Sequence, residues 1–338
     1  MTGNPRAVGI IGLGSCVPER VLTNADLERM VDTTDEWIRT RTGIRERRIA
    51  ADHEATSDLA AAAAQRALAD AGLAATDVDL ILVATLTPDM AFPATANLVQ
   101  HHIGARAVPG FDLSAGCSGF VYGLTVGAQL VGTGLYQRVL VIGADVLSRI
   151  TDWTDRSTCV LFGDGAGAAV LGSVPAGSGF LAFALGGDGA GAELLNLPAG
   201  GSRRPATADT VGHHLHFIRM QGNEVFKFGV RAMVDATIEA LGKCGLTPRD
   251  IDLLVPHQAN IRIMDAAARR LEIPLDRVFA NVDRFGNTSA ASVPIAFDQA
   301  RREGRVKEGA IIVFVGFGAG LTWGATVLRW SEAPWKDR

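Results

Sequence analysis

The fold of this chain is decided by one stretch of sequence that occurs twice. It reads Ala71-Gly72-Leu73-Ala74-Ala75-Thr76-Asp77-Val78-Asp79-Leu80 and returns 173 positions later as Cys244-Gly245-Leu246-Thr247-Pro248-Arg249-Asp250-Ile251-Asp252-Leu253. In each copy a glycine ends a helical stretch, and a buried strand is expected to follow. The offset is about half the chain, so the pattern indicates one duplication and excludes a solenoid of many short repeats.

The same offset relates further segments. Val139-Leu140-Val141-Ile142-Gly143 falls on Ile312-Val313-Phe314-Val315-Gly316, and the small residues around Cys117 fall on residues 287–292. After an insertion in the first copy, the register resumes between residues 167–171 and residues 324–328. We therefore expect two similar halves fused head to tail, residues 1–172 and 173–338.

Each copy alternates apolar strand-like segments with helical stretches. In the first copy, residues 80–84 and 107–113 read as strands, and residues 56–71 and 117–131 read as helices. This alternation predicts right-handed crossovers and a sheet covered on both faces. Each copy ends in two neighbouring β-rich segments, so part of each sheet is expected to be antiparallel. Two such halves stack naturally as an α/β five-layer αβαβα sandwich, with ligands at strand C-termini and helix N-termini.

Composition and charge exclude several classes of protein. Apolar residues make up 48% of the 338 residues and charged residues 20%, which suits large cores and excludes disorder. The formal net charge of -4 gives no reason to expect a nucleic-acid or anionic-membrane partner. The uncharged residues 113–137 are long enough to span a membrane, but six glycines interrupt them, so a buried helix is expected.

The cysteines and the N-terminus indicate a compartment. The four cysteines have no C-x-x-C spacing, which argues against a zinc knuckle or a disulfide framework and fits a reducing cytoplasm. Residues 1–8 are short, polar and too weakly apolar for a signal peptide. We therefore expect a cytoplasmic protein.

Cys117 stands at a position that suits a nucleophile. It follows the apolar strand segment through a Ser-Ala-Gly turn and opens the long uncharged helix. The dipole and free N–H groups of a helix N-terminus favour a thiolate. The alternative is a buried structural cysteine, which is the commoner role of a free cysteine. Cys16, Cys159 and Cys244 are expected to be structural.

Two polar residues of the second half occupy comparable positions. His257 follows the apolar residues 252–255, before a helix that begins near Asn260, and Asn287 lies within a few residues of the position superposed on Cys117. Each has a structural alternative, since a lone histidine is commonly inert and an asparagine there can cap a helix. The pseudo-twofold relation places the two helix starts opposite each other. Cys117, His257 and Asn287 are therefore expected to converge between the halves.

Three other patterns are weaker. Residues 162–167 (FGDGAG) superficially match a dinucleotide loop, but a strand and not a helix follows. His213, His214 and His216 suggest a metal, but the preceding sequence indicates a surface loop without an acidic or thiol ligand nearby. The arginines around Trp37 ordinarily form a solvated face, although an indole among guanidiniums also suits an adenine ring and phosphates.

Motifs spread over the whole chain together carry a family resemblance. They are residues 23–28 (TNADLE), 35–38 (DEWI), 41–44 (RTGI), 162–168 (FGDGAGA), 222–227 (GNEVFK), 256–260 (PHQAN), 286–292 (GNTSAAS) and 322–324 (TWG). With them the chain resembles the β-ketoacyl-[acyl-carrier-protein] synthase III family, the initiating condensing enzymes of bacterial type II fatty acid synthesis. The resemblance implies a thiolase-like fold and an acyltransferase that joins a short acyl-CoA, acetyl or branched, to malonyl-[acyl-carrier protein]. It also implies a homodimer, an acyl carrier protein as partner and no cofactor.

The resemblance assigns roles to residues of this sequence. Cys117 would accept the acyl group, His257 and Asn287 would serve decarboxylation, and Phe317 would gate the site. The backbone N–H groups of Cys117 and Ala319 would form the oxyanion hole. The residues implied along the coenzyme A tunnel are Trp37, Arg41, Thr42, Arg156, Met220, Gly222, Asn260 and Arg262. Those implied for the acidic carrier protein are Lys227, Arg262 and Arg269, and those implied for the acyl pocket are Phe92 and Phe162.

Two segments depart from the family pattern. Residues 115–119 read AGCSG where the family often has A-A-C-A-G, and residues 317–320 read FGAG where F-G-G-G is familiar. Ala319 keeps its N–H but cannot follow a glycine into positive φ without strain. Phe92 matches the residue that closes the partner's acyl pocket, and a bulky aromatic there favours a short primer.

Other reaction classes stay open at this stage. Cysteine, histidine and asparagine in this chain order also occur in papain-like peptidases, where the histidine is the general base for the cysteine. The repeat and the coenzyme A motifs argue against a peptidase, whereas a thioesterase or a condensing enzyme of secondary metabolism remains possible. Carbon dioxide release from a malonyl-carrier thioester with acyl-CoA indicates condensation, and free acid and thiol alone indicate hydrolysis.

Overall fold

The computed structural model of the chain describes residues 6–332. The outer ends of both predicted halves and most of the N-terminal residues 1–8 lie outside this range. The strands are β1 (Val8–Cys16), β2 (Val21–Thr23), β3 (Glu46–Arg48), β4 (Leu80–Ala84), β5 (Gly110–Leu113), β6 (Val139–Val146), β7 (Asp164–Ser173), β8 (Gly179–Gly187), β9 (Leu195–Asn196), β10 (Arg219–Met220), β11 (Leu253–Pro256), β12 (Ile311–Gly318) and β13 (Thr322–Arg329). The helices are α1 (Asn24–Glu28), α2 (Asp35–Thr42), α3 (Thr56–Ala71), α4 (Thr95–His102), α5 (Gly119–Gly132), α6 (Arg156–Cys159), α7 (Ala208–Gly212), α8 (Gly222–Lys243), α9 (Ile261–Arg270), α10 (Val282–Phe285) and α11 (Ser292–Arg302).

Two mixed sheets form the framework. The first has the strand order β1-β7-β6-β4-β5 and the second has the order β11-β12-β13-β8. Strand β4 runs parallel to β5 and β6, and β11 runs parallel to β12. The pairs β6–β7 and β12–β13 are antiparallel, which confirms the expectation from the β-rich end of each copy. The first sheet draws its strands from residues 8–173 and the second from residues 179–329, while the boundary between residues 172 and 173 stays a prediction.

Alternating side chains on each strand fill separate layers of the core. On β4, Leu80 and Leu82 face the centre of the molecule, where they join the side chains of α5 and α11. Ile81 and Val83 point the other way, against α3 and α4. The strands of the second sheet alternate in the same manner between this central layer and α8 and α9. Helices therefore cover both outer faces and fill the space between the sheets, and the predicted five-layer αβαβα sandwich is confirmed.

The duplication places two equivalent turns at the centre. The 3-10 turn Gly116–Ser118, here called the cysteine turn, leads into α5, and the 3-10 turn Ser289–Ala291, here called the serine turn, leads into α11. The two turns pack directly against each other. Glycines on the sheets permit this approach, since a Cβ at Gly143 of β6 would lie only 2.2 Å from the carbonyl oxygen of Ala290. The structure thus brings the two helix starts face to face.

Two boundaries differ from those predicted from the sequence. Strand β5 begins at Gly110 and not at residue 107, because Pro109 just before it has no N–H to donate to a sheet. The helix expected from residue 117 begins with a 3-10 turn, and so does the equivalent helix of the second half. Within residues 6–332 no helix is long and apolar enough to cross a membrane, and α5, the helix of the uncharged stretch, lies between the sheets.

Candidate active site

Cys117 lies in the middle of the cysteine turn, between β5 and α5. Gly116 before it has a left-handed φ of 55°, and a Cβ there would lie 2.9 Å from the backbone nitrogen of Ala319. Only glycine fits such a conformation at so close an approach. The hydroxyl of Ser118 donates to Thr322 Oγ1 (2.8 Å), which donates to the Ala115 carbonyl (2.7 Å). This pair of bonds fastens the cysteine turn to β13.

The backbone at the end of β12 presses on the cysteine. A Cβ at Gly318 would lie 3.0 Å from Cys117 Sγ and 2.6 Å from its backbone nitrogen, so a side chain at position 318 would displace the thiol. Among residues 6–332 the non-glycine residues with positive φ are His214, Glu272 and Ser289. Ala319 is not one of them, and the strain expected at this position is absent.

The surroundings of Cys117 oppose its ionisation in the free protein. Burial raises the pKa of the thiol to about 12, and the carboxylate of Asp145 adds to this rise, while the Ser289 hydroxyl and a backbone N–H oppose it. The sequence analysis expected the helix start to favour a thiolate. The position is as expected, but loss of water around the sulfur exceeds the local effect of the turn. Cys117 is therefore a thiol at neutral pH unless another group accepts its proton.

His257 follows β11 and is almost completely buried. Its backbone N–H donates to the Val315 carbonyl (2.7 Å) and continues the pairing with β12. The Ser292 hydroxyl lies 2.7 Å from His257 Nδ1 and accepts the N–H of Gln258 at 3.4 Å. In the described structure, Nδ1 is the only acceptor for the Ser292 hydroxyl, so Ser292 donates its proton to Nδ1. The proton of the neutral ring is therefore on Nε2. Burial lowers the pKa of His257 to about 3, so the ring is neutral.

Asn287 is held by both its backbone and its side chain. Its N–H donates to the Leu161 carbonyl (2.8 Å), and its own carbonyl accepts the N–H of Gly163 (3.0 Å). Its Oδ1 accepts the N–H of Ser289 at 2.9 Å. This bond identifies the amide oxygen and leaves Nδ2 as the free donor of a buried side chain. The helix-capping alternative is thereby replaced by a local turn that orients the amide.

Phe317 is packed beside the histidine. Its ring meets that of His257 edge to face, with centroids 5.5 Å apart, and that of Phe228 at 5.9 Å. A Cβ at Gly229 would lie 2.4 Å from the tip of the ring. Phe317 is thus held on three sides, one residue before Gly318, which touches Cys117. Its predicted gating role stays a prediction.

The residues predicted for coenzyme A lie on several elements, and some of them touch. The Arg156 guanidinium lies over the Trp37 indole, 4.2 Å from the ring centroid. Asn260 caps α9 by accepting the N–H of Arg262 (2.8 Å) and donates to the Arg41 carbonyl (3.0 Å). The remaining three predicted residues are a buried one on α2, one on β10 and one at the start of α8, namely Thr42, Met220 and Gly222.

The residues predicted for the carrier protein are exposed on two neighbouring helices. Arg262 and Arg269 lie on α9, seven positions apart and therefore on one face. Arg262 also lies 5.7 Å from the ring centroid of Phe226. Lys227 on α8 forms an exposed ion pair with Glu224 at 2.8 Å. The role of these three cations in binding the carrier protein stays a prediction.

The two residues predicted for the acyl pocket have opposite environments. Phe162 is buried, and its backbone forms a parallel bridge with Asn287, which places it next to the candidate site. Phe92 is 84% exposed in the isolated chain, on the loop between β4 and α4. The place of Phe92 in an acyl pocket stays a prediction.

Sequence reasoning missed three residues that the structure places at the centre. Ser292 sets the tautomer of His257, Ser289 orients Asn287, and Asp145 is a fully buried carboxylate next to the serine turn. The two serines stand in the motif GNTSAAS, but nothing in the sequence indicates which partners they meet. In the described part of the chain no three His, Cys, Asp or Glu side chains lie close enough together to hold a metal ion.

Two duplicated α/β halves with a cysteine at a helix start between them define the class of thiolase-like condensing enzymes. The family model for 3-oxoacyl-[acyl-carrier-protein (ACP)] synthase III matches residues 111–189, and the model of its C-terminal part matches residues 241–330. The β-ketoacyl-[acyl-carrier-protein] synthase III of Caldanaerobacter subterraneus subsp. tengcongensis is 60% identical, over 96% of this chain and 98% of that protein. The chain belongs to the β-ketoacyl-[acyl-carrier-protein] synthase III family.

Solved structures agree with this assignment. The synthase III from Thermus thermophilus is 52% identical with a TM-score of 0.89, over 96% of this chain and all of that one (100%). The priming β-ketosynthase from the R1128 polyketide biosynthetic pathway is 37% identical with a TM-score of 0.91, over 98% of each chain. The family resemblance seen in the sequence is confirmed, together with the condensing, acyl-transferring activity that it implies.

Proposed function

We propose that this chain initiates fatty acid synthesis by a decarboxylative Claisen condensation. A short acyl-CoA and malonyl-[acyl-carrier protein] are its substrates, and 3-oxoacyl-[acyl-carrier protein], coenzyme A and carbon dioxide are its products. The observation that carries the proposal is the packing of the cysteine turn against the turn that orients Asn287, in a chain 60% identical to a named synthase III. This arrangement supports a nucleophile and a pair of neutral donors at one centre.

The first half-reaction transfers the acyl group to the protein. Cys117 Sγ attacks the thioester carbonyl of acyl-CoA, and coenzyme A leaves. The carbonyl oxygen becomes an oxyanion in the tetrahedral intermediate, which the N–H groups of Cys117 and Ala319 hold. The contact of residues 318 and 319 with the cysteine turn supports this assignment. Because both donors are backbone groups in tightly packed segments, they need no reorganisation during the reaction.

The second half-reaction makes the carbanion without a base. Malonyl-carrier thioester loses carbon dioxide, and negative charge moves to the thioester oxygen as an enolate forms. His257 Nε2–H and Asn287 Nδ2–H donate hydrogen bonds to that oxygen. The low pKa of His257, about 3, keeps the ring neutral, so it acts as a donor and does not remove a proton. The enolate carbon then attacks acyl-Cys117, and the thiolate departs.

Coenzyme A enters along the residues on α2, α6 and α9. An adenine ring stacked between Trp37 and Arg156 would need a gap of about 3.5 Å on each of its two faces. The guanidinium lies only 4.2 Å from the indole centroid, which is too close to admit the ring. Arg156 therefore swings aside to admit the base. Its Nε is buried without a hydrogen-bond partner, so this movement breaks no strong contact at that atom. Arg41 and Arg262 supply charge for the phosphates.

The carrier protein docks on the basic surface of Lys227, Arg262 and Arg269. Acidic partners are steered to such surfaces, which raises the association rate more than the affinity. No step of the mechanism calls for a cofactor, since the cysteine, the two neutral donors and backbone N–H groups supply the chemistry. The site of action is the cytoplasm, where acyl-CoA, the carrier protein and reduced thiols are available.

The chain forms a C2 homodimer. Strand β5 lies at the edge of the first sheet and carries Phe111, which is 43% exposed, and Phe92 is 84% exposed on the loop before α4. An uncovered edge strand beside exposed aromatic rings is a surface that a second copy can pair with. The dimer would place Phe92 in the partner's acyl pocket. Light scattering at micromolar concentration tests the dimer, and a monomer would contradict it.

One assay separates condensation from its alternatives. Purified protein is incubated with acetyl-CoA and malonyl-carrier protein carrying a labelled carboxyl group, and carbon dioxide and the carrier products are measured. We expect carbon dioxide and 3-oxoacyl-carrier in equal amounts. Free acid and thiol without carbon dioxide would identify a thioesterase. The likeness to a polyketide priming β-ketosynthase supports a second candidate, which a preference for longer or unusual primers in a panel of acyl-CoAs would favour.

A further inference from the structure

Ser289 has a backbone conformation that serine rarely adopts. Its φ is 51°, close to the 55° of Gly116, which stands at the equivalent position of the cysteine turn. The left-handed region disfavours any residue with a Cβ, and such strain concentrates at functional sites. The side chain is 1% exposed, and its Oγ has no partner in regular hydrogen-bond geometry. A strained position thus holds a buried hydroxyl that the fold leaves unused.

Asp145 lies near this hydroxyl. It is fully buried near the end of β6. Its Oδ1 accepts bonds from the Leu86 N–H (2.7 Å) and from the backbone or hydroxyl of Thr85 and Thr87 (3.0–3.2 Å). Its Oδ2 accepts one bond in the described structure, the N–H of Ala290 at 3.2 Å. One carboxylate oxygen is saturated, and the oxygen that faces the serine turn keeps room for another donor.

Ser289 therefore stands between an acid and an acceptor. Burial raises the pKa of both the Cys117 thiol and the Asp145 carboxyl, and the nearby Ser289 hydroxyl opposes the rise in each. Neither approach has regular hydrogen-bond geometry in this conformation, so the relay requires the Ser289 side chain to rotate. The cysteine turn and the serine turn are already packed together.

We propose that Ser289 and Asp145 form a proton relay that takes the proton of Cys117 during acyl transfer and returns it after condensation. The relay rests on the proposed function and adds residues to it. Ser289 acts on a reacting atom, the sulfur, whereas Asp145 acts through Ser289. His257, which a cysteine–histidine mechanism would use as the base, keeps its separate task as a neutral donor.

The proton balance closes over one catalytic cycle. As Sγ bonds to the acyl carbon, the S–H proton moves to Ser289 Oγ and the hydroxyl proton of Ser289 moves to Asp145 Oδ2. Coenzyme A leaves as a thiolate and takes a proton from solvent. In the second half-reaction carbon dioxide leaves, the carbon–carbon bond forms and the bond to Cys117 breaks. The departing thiolate recovers the stored proton from Asp145 through Ser289, so the cycle consumes one solvent proton.

Charge favours this relay over loss of the proton to water. The Asp145 carboxylate raises the pKa of Cys117 because two adjacent buried anions repel each other. When the proton passes from sulfur to carboxylate, the centre holds a single negative charge before and after the transfer. The other ionisable group here, His257, is held neutral by burial and does not compete for the proton. Thr85 and Thr87, the remaining side chains bonded to Asp145, do not titrate in this range.

The relay is tested by alkylating Cys117 with iodoacetamide between pH 5 and pH 10 in wild-type protein, Ser289→Gly and Ser289→Ala. Mass spectrometry of the Cys117 peptide gives the rate, and no acyl-CoA is present. Glycine suits the positive φ and keeps the N–H that orients Asn287, so this variant is expected to fold. Thr237→Val is the matched control, because it removes another buried hydroxyl without a partner, on α8.

We expect the wild-type rate to level off above the pKa of Asp145, which burial raises, because the ionised carboxylate then receives the proton. Without the hydroxyl, the rate should rise about tenfold per pH unit and be about 100-fold lower at pH 7, at the lower end of the range for general acid–base effects. Acyl transfer from acetyl-CoA should slow similarly, while decarboxylation by pre-acylated enzyme changes less than about threefold.

Two results would overturn the relay. One is a pH profile of Cys117 alkylation in Ser289→Gly that matches the wild-type profile. The other is a loss in Ser289→Ala alone that is the same at every pH, because it would identify a purely positioning role. Failure of the proposed function appears separately, as wild-type protein that forms no acyl-Cys117 and releases no carbon dioxide while the alkylation profile stands.

Discussion

The cysteine turn and the serine turn have similar backbone conformations, and the proposed mechanism gives them different chemical roles. Each starts with a left-handed residue, φ 55° at Gly116 and 51° at Ser289, and each leads into a central helix. Each is also touched by the end of a strand, Gly318 at Cys117 and Asp145 at Ala290. In the first turn glycine leaves room around a nucleophile, and in the second a hydroxyl and a carboxylate fill the equivalent places. The duplicated fold thus supplies two turns of similar backbone conformation, and a few side chains give them different proposed roles.

The largest expected effect tests whether the nucleophile belongs to the cysteine turn alone. Cys117→Ser should reduce condensation at least about 10³-fold, because a serine hydroxyl is a far poorer nucleophile than a thiolate. Carbon dioxide release and the mass of the acylated protein measure the loss. Cys244→Ser is the control, since Cys244 lies at the end of α8 with its thiol near backbone carbonyls, and it should keep nearly full activity. Retained activity in Cys117→Ser would place the nucleophile elsewhere.

The next test separates the tasks of the two turns. His257→Ala and Asn287→Ala should each reduce decarboxylation about 10²- to 10³-fold, while acyl transfer to Cys117 falls less than about tenfold. Since the pKa of His257 is about 3, its neutral donor form persists above that pH, and wild-type decarboxylation should not lose this donor between pH 5 and 8. Single-turnover assays with acetyl-CoA and with malonyl-carrier resolve the two steps. Failed acylation with surviving decarboxylation would reverse the assignment.

A reciprocal pair of substitutions compares the left-handed positions directly. Gly116→Ala should destabilise the protein by about 2–4 kcal/mol, because the new Cβ meets the Ala319 carbonyl oxygen at 2.7 Å in a strained conformation. Ser289→Gly should be neutral or stabilise by up to about 1 kcal/mol, because relief of left-handed strain offsets the greater chain entropy of glycine. Urea unfolding measures both. If Ser289→Gly lost as much stability as Gly116→Ala, the backbone of Ser289 would not be strained.

The smallest expected effect extends the comparison to the loops that follow equivalent strands. The segment after β11 carries the buried His257, whereas the loop after β4 carries the exposed Phe92. Phe92→Thr should raise kcat/KM for long acyl-CoA relative to acetyl-CoA several-fold, because in the proposed dimer a smaller side chain would lengthen the partner's pocket. Decarboxylation by the acylated enzyme should change little. An unaltered chain-length profile in a variant that is still dimeric would reduce Phe92 to interface packing.

The sequence was sufficient for the repeated framework, because that framework depends on local periodicity. Helix α3 (Thr56–Ala71) and strand β4 (Leu80–Ala84) lie at the bounds predicted for them. The positions of Cys117, His257 and Asn287 at the starts of turns and helices also follow from strand ends and glycines. These signals lie within a few residues along the chain, where pattern and turn chemistry act.

The properties of the site depend on contacts that sequence spacing does not encode. The tautomer of His257 is set by Ser292, 35 positions away, and Asp145 meets Ala290 at a separation of 145 positions. The ionisation of Cys117 was misjudged for the same reason. The helix start is visible in the sequence, but the loss of water around the sulfur comes from layers of the fold that lie far away along the chain.

The hydrogen bond between Ser118 and Thr322 joins a residue that is synthesised early to one that is synthesised late. The nucleophile is translated early, yet the hydroxyl that fastens its turn, and the Gly318 backbone beside its sulfur, belong to β13 and β12. A nascent chain that has passed Cys117 by two hundred residues still lacks both. Its thiol is not yet held against the proposed oxyanion donors, so we expect that a ribosome-bound fragment does not accept acyl groups from acyl-CoA. The site is complete only after the last two strands have been synthesised.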